Sequence, residues 1–199
     1  QERPSLDILL RELLQAGADY FSVFVRSIIE REANEKWIDR SGQNAVGSPL
    51  LSVDEHCELL SQIAVSMWEA RIDNLKQEML EFVADYFCEM ARKNTFQAQQ
   101  IRNRIRGHAL LVPSGNTAQS IEFDHDEFRL FFLGEGVANQ IRPLNERAKV
   151  EVLNTFRRGV LPRQAQHALI SAIIRDRSLD RTLVVKFLEE VKSMDAQAS

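Results

Sequence analysis

The sequence predicts a mainly α fold: a helical domain with a winged-helix-like unit and one β-hairpin, followed by C-terminal helical hairpins. Three observations carry this. Apolar residues recur mostly with helical period, Gly (8) and Pro (5) are scarce among 199 residues, and only one pair of short β-type segments flanks a turn. A chain that is 44% hydrophobic and 27% charged can bury one good core or two small ones.

In chain order, Ser5 caps a helix that places Leu6, Leu9, Leu10, Leu13 and Leu14 on one face and stops at Gly17. A second helix resumes after Asp19, with Tyr20, Phe21, Phe24, Val25, Ile28 and Ile29 inward and a polar second half ending in Trp37 and Ile38. The two form a helical hairpin. Residues 41–49 are polar and contain Gly, which suits a connector. Ser52 and Glu55 are spaced as a capping box, opening a helix with Leu59, Leu60, Ile63, Ala64, Met67 and Trp68 as its buried stripe. Asn74 with Gln77 opens the next, buried through Leu75, Met79, Leu80, Phe82, Val83, Tyr86 and Phe87. A shorter helix starts at Thr95 and closes at Gly107.

Residues 109–112 and 120–123 then flank Pro113, Ser114, Gly115, Asn116 and Thr117, the pattern of a β-hairpin. Three helices followed by a hairpin predict a winged helix. The second strand runs directly into a helix that begins at Asp124, and the stretch 121–141 spanning both holds four of the eleven Phe. Its buried stripe is Phe128, Phe131, Phe132 and Val137, with Glu135 at the solvent edge because an unpaired carboxylate is costly in a core. Asp124 and Glu127 are spaced as a second capping box, which leaves His125 as the spare group at the helix mouth. Beyond Pro143, three amphipathic helices of similar length with short joins read as stacked helical hairpins, or as the first units of a helical array.

The charge shifts along the chain. Residues 1–141 carry a net −8 and residues 142–199 a net +4, and the change coincides with Arg142-Pro143, where proline interrupts a helix. Two domains are therefore expected, 1–141 and 142–199. There is no phosphate loop, no G-x-G-x-x-G, no H-E-x-x-H and no G-x-S-x-G, so the chain is not expected to be an enzyme by itself. Cys57 and Cys88 lack metal-ligand spacing and read as small buried hydrophobes in a reducing compartment. No apolar run approaches a membrane span and no signal peptide opens the sequence, which together indicate a cytoplasmic protein without a membrane partner. The first residue is Gln, as in a piece of a longer polypeptide. Arg92, Lys93, Arg102, Arg104 and Arg106 raise the question of nucleic acid, but they lie in an acidic region and do not form one stripe, so a solvated face is favoured. A metal site at Asp124, Asp126 and Glu127 is disfavoured because consecutive residues at a helix start point in different directions.

The run Phe123-x-His125-x-x-Phe128-x-x-Phe131-Phe132-Leu133 resembles the winged-helix signature of signal-transduction ATPases with a NACHT-type nucleotide-binding domain. The preceding elements are similar in order: a Pro-led helix (Arg3-Pro4-Ser5-Leu6), a long helix with Ile28-Ile29-Glu30-Arg31-Glu32, a capped helix with Glu58-Leu59-Leu60 and Met67-Trp68-Glu69, and the hairpin. The resemblance covers roughly residues 1–141. It implies a regulatory module that closes over ADP in the inactive state, with His125 contacting its phosphates and Pro4 near the adenine. It also implies that ADP or ATP binds only in the full-length parent, against an upstream nucleotide-binding domain, in antiviral or immune-type signalling through a protein partner or self-oligomer. Read from the residues alone, His125 is more simply a core hydrogen-bond donor, and the alternative for the chain is a stand-alone protein-interaction module docking through residues 144–194.

Overall fold

The computed structural model describes residues 20–39, 47–115 and 119–197. The predicted helix opened by Ser5, with Pro4 ahead of it, and most of the 41–49 connector lie outside the described residues.

The fold is mainly α with a small three-stranded antiparallel sheet. Helix α1 spans Tyr20–Arg31 and passes into a π-helical turn, Glu32–Lys36, after which Trp37 inserts fully into the core. Val25 and Ile29 are buried as expected. Tyr20, Phe21 and Phe24 are not: they stay 36–52% exposed, although Phe21 and Phe24 stack on Phe128 and Phe21 meets Phe131 edge-on.

Helix α2, Val53–Ala70, begins at the predicted capping box, with the Glu55 amide donating to Ser52 Oγ (3.2 Å) and the Ser52 amide to Glu55 Oε2 (2.8 Å). It ends at Arg71, which takes the left-handed conformation (φ 56°, ψ 46°) and reverses the chain. That reversal corrects the next boundary. Leu75–Lys76 form a strand, β1, before helix α3, Gln77–Met90, because Leu75 pairs with Ile121 and the Gln77 amide donates to the Gln119 carbonyl. The buried face of α3 is Leu80, Val83, Ala84, Phe87 and Cys88, so Met79, Phe82 and Tyr86, expected inside, are exposed. Helix α4, Thr95–Ile105, is opened by an Asn94–Gln97 capping box. Strands β2, Leu111–Pro113, and β3, Ser120–Phe123, complete a sheet of order β1-β3-β2. Helix–strand–helix–helix–strand–strand with this order is the winged-helix arrangement.

Helix α5, Asp126–Ile141, follows β3 after two residues and is covered on nearly every side. Helices α6, Glu146–Arg157, α7, Arg163–Arg175, and α8, Arg181–Gln197, complete the chain. The predicted stripe of α5 is buried, but so are Leu130, Leu133, Gly134, Gly136, Ala138 and Ile141. Two glycines explain how a helix can be enclosed this closely. Residues two apart lie about 200° around a helix, so Gly134 and Gly136 face opposite ways. A methyl group at Gly134 would come within 2.4 Å of the Ala165 carbonyl oxygen and 2.6 Å of Ala168 Cβ on α7; at Gly136 it would meet Val65 Cγ2 at 2.5 Å and the Ser61 carbonyl at 3.1 Å on α2. Each glycine lets a neighbouring helix touch the backbone of α5. Glu135, between them, points to the rim and pairs with Arg175. A single apolar cluster runs from Val25 to Val191, so the core is continuous across Arg142-Pro143.

Gly→Ala in a helix ordinarily gains about 0.5–1 kcal/mol. Gly134→Ala is expected to reverse that sign and cost about 1–3 kcal/mol through overpacking against an immovable backbone. Chemical denaturation of the two proteins checks it, and a Gly134→Ala protein as stable as the wild type would show that α7 can back away.

Candidate functional site

The β3–α5 junction places His125 as the N-cap of α5 in extended geometry (φ −136°, ψ 145°), yet its side chain makes no capping bond. The predicted Asp124–Glu127 box does not form. Because the helix starts one residue later than that spacing requires, the Phe128 amide is satisfied by the His125 carbonyl (3.1 Å) instead. The His125 side chain is 67% exposed, rests against Phe128 with ring centroids 5.7 Å apart, and has Nε2 3.6 Å from Asp124 Oδ2. A core hydrogen-bond donor would be buried, so that reading of His125 is set aside.

The three carboxylates at the mouth diverge. Asp124 faces His125, Glu127 is exposed, and Asp126 turns along the helix to Arg129, whose Nη2 lies 2.6 Å from Asp126 Oδ1 and 3.6 Å from Asp73. Among the described residues no three His, Cys, Asp or Glu side chains converge as a metal site.

The basic residues around α4 are bound to the protein itself. Arg102 holds Asp85 (2.6 Å), Arg104 donates to the carbonyls of Lys36 and Ile38, and Lys93 pairs with Glu55 (2.6 Å). Burial pushes both thiols, Cys57 and Cys88, up to about 11, which leaves them unreactive at neutral pH. A cavity of about 1160 Å³ between α1, α2, α5 and α7 has three arginines on its walls. Each faces a carboxylate: Arg26 with Asp54, Arg142 with Asp176, Arg175 with Glu135. With Glu58 as a fourth carboxylate on the wall, the cavity carries no surplus of positive charge.

Two clusters escape periodicity arguments. The first is a small surface pocket of about 250 Å³ that gathers Arg71, Arg129 and Arg158, with Asp73, around Trp68. The second is buried. His56 on α2 and His108, in the segment between α4 and β2, lie on separate elements, yet their rings are 5.4 Å apart and both pack edgewise on Trp37 (4.8 and 5.8 Å). Glu32, fully buried, joins them from the π-helical turn, held by Lys36 Nζ (2.5 Å) and by the Ala109 amide (3.4 Å). His108 Nδ1 accepts the Leu110 amide (3.1 Å), while neither ring nitrogen of His56 has a hydrogen-bond partner among the described residues. The cluster fastens the end of α1 to the winged-helix unit. No sequence signal marks it, since the three residues are far apart and none lies in a motif.

No protein-family model, curated protein or solved structure matches the chain.

Burial, and then the neighbouring His108, lowers His56 to about 3; Glu32 and Glu55 pull the other way. Burial and Lys36 lower His108 to about 3. The unfolded chain takes up both protons near pH 6.5 and the folded one does not, so stability is full above that pH and falls as pH drops toward 3. The slope approaches about 2.7 kcal/mol per pH unit with both histidines contributing. Urea unfolding from about pH 7 to 5 is expected to show it, and His56→Phe to roughly halve the slope; an unchanged slope would remove His56 from the account.

Proposed function

We propose that this chain is the regulatory helical and winged-helix part of a NACHT-type signal-transduction ATPase, in antiviral or immune-type signalling, closing over ADP in the inactive state. The observation that carries the reading is His125, which stands exposed at the mouth of the most enclosed helix and is used neither for capping nor by the core. An imidazole N–H there can donate to a phosphate oxygen, and the helix N-terminus behind it favours negative charge. The acidic neighbours do not defeat this. Asp126 is drawn aside by Arg129, and Asp124 sits where it can orient the ring.

On this reading ADP and ATP belong to the full-length parent, hydrolysis belongs to an upstream nucleotide-binding domain, and this chain supplies the latch. Pro4 near the adenine is part of the same proposal. Among the described residues no helix is long and apolar enough to cross a membrane.

A second reading, a stand-alone helical interaction module, is favoured by one observation, which lies on α3 and not in the 144–194 segment expected from the sequence to dock. Met79, Phe82, Tyr86 and Met90 are 45–66% exposed at helical spacing along α3. It predicts that the isolated chain self-associates or captures a partner through α3, which Phe82→Asp would abolish while His125→Ala leaves it intact.

In the parent protein, His125→Ala is expected to weaken ADP retention about 10- to 100-fold, the worth of one hydrogen bond to a charged group, and to raise basal signalling. ADP dissociation measured on both proteins checks this. Equal dissociation rates with equal basal activity would sink the latch.

A further inference from the structure

The pocket formed by Arg71, Arg129 and Arg158 lies where four elements meet: the end of α2, the approach to β1, the first turns of α5 and the end of α6. We infer that it is a binding site for a compact phosphate-bearing anion, taken up by the three guanidinium groups beside Trp68. The inference stands on this chain alone and does not require the nucleotide-latch reading.

Arg71 is the first support. It occupies the left-handed position that ends α2, where glycine fits without strain and a non-glycine residue is uncommon. What arginine adds there is its side chain. Its Nη2 donates to the Arg158 carbonyl (3.2 Å), which braces the guanidinium over the pocket.

Arg158 is the second. It is exposed, and among the described residues its guanidinium meets no carboxylate. In the large cavity every arginine faces a carboxylate; here Asp73 also lines the pocket, but it lies 3.6 Å from Arg129 and leaves Arg158 without a carboxylate among the described residues.

Arg129 is the third. Its side chain is only 17% exposed, so its position is set by packing, while its partners Asp126 and Asp73 are 62% and 86% exposed. Ion pairs with such exposed carboxylates are weak and screened, so an incoming dianion can compete for Arg129. Trp68 is fixed as a wall by its indole N–H, which donates to the Thr155 carbonyl (2.9 Å).

The size and the donor set select the ligand. About 250 Å³ accommodates a diphosphate but not a folded peptide segment, and three guanidinium groups lining one pocket offer more donors than a single flat carboxylate can accept, which suits the several oxygens of a phosphate.

The test is a calorimetric titration of the 199-residue chain with inorganic pyrophosphate. Saturable one-to-one binding is expected, weakened about 10-fold or more in both Arg71→Gly and Arg158→Gln, as for loss of charge-assisted hydrogen bonds. Arg71→Gly suits the backbone it replaces, so its thermal unfolding should match the wild type and separate binding from folding. Arg163→Gln, which removes an equal charge from α7, should leave binding intact. ADP binding as tightly as pyrophosphate supports a site for the phosphates alone; ADP binding more tightly supports a nucleotide source of the same anion. No saturable binding, equal binding by both arginine variants, or displacement of pyrophosphate by a weaker-charged acidic peptide at lower concentration would overturn the assignment. Loss of ADP retention in His125→Ala of the parent is a separate outcome, so either proposal can fail without the other.

Discussion

The contact between α5 and its two flanking helices is the constraint on which the rest of the structure depends. Gly134 admits the backbone of α7 and Gly136 that of α2, on opposite sides of one helix. Close approach brings many weak dispersion contacts into range at once and leaves little room to relax. Apolar side chains beyond the glycines then fill the remaining faces, Phe132 against Phe123 of the sheet and Phe128 and Phe131 against Phe21 of α1. The winged-helix unit and the C-terminal helices therefore share one core.

A helix held this tightly makes a rigid mount for whatever stands at its mouth. His125 and Arg129 are one turn apart, so they lie on the same face at the start of α5. The first projects into solvent and the second is clamped into the surface pocket. The geometry places an imidazole and an arginine-lined pocket at the start of the same closely packed helix. Functional groups mounted on regular elements keep their positions better than groups on loops.

The end of α1 is joined to the winged-helix unit by different chemistry. Glu32, His56 and His108 pack around Trp37, with Lys36 reaching Glu32 from the same π-helical turn. Such turns often mark places where a helix is reshaped for a purpose, and here the turn carries both Glu32 and Trp37 into the core. Neutral imidazoles tolerate burial and imidazolium ions do not. The junction between α1 and the winged-helix unit is thus tied to protonation in a way the glycine-packed core is not.

Much of the fold was legible in the order of residues. Periodicity places α2 and α4 to α8, the Ser52–Glu55 spacing marks a helix start that forms as drawn, and the turn residues after Val112 locate the hairpin. These features are local, since capping, helical period and turn chemistry depend on neighbours a few residues away. Periodicity erred where two faces of a helix are both apolar: on α3 it could not tell Leu80 and Phe87 from Phe82 and Tyr86, because only the packing partner decides which face is covered. It also missed β1, whose two residues become a strand through pairing with β3. At the candidate site, the sequence by itself singled out His125 and an acidic helix start; only the tertiary structure decided that His125 is exposed, that its expected capping box does not form, and that Arg71, Arg129 and Arg158 meet. The physical reason is range. Local chemistry is written in consecutive residues, whereas burial, glycine-mediated contact and the meeting of distant charges exist only once the chain has closed on itself.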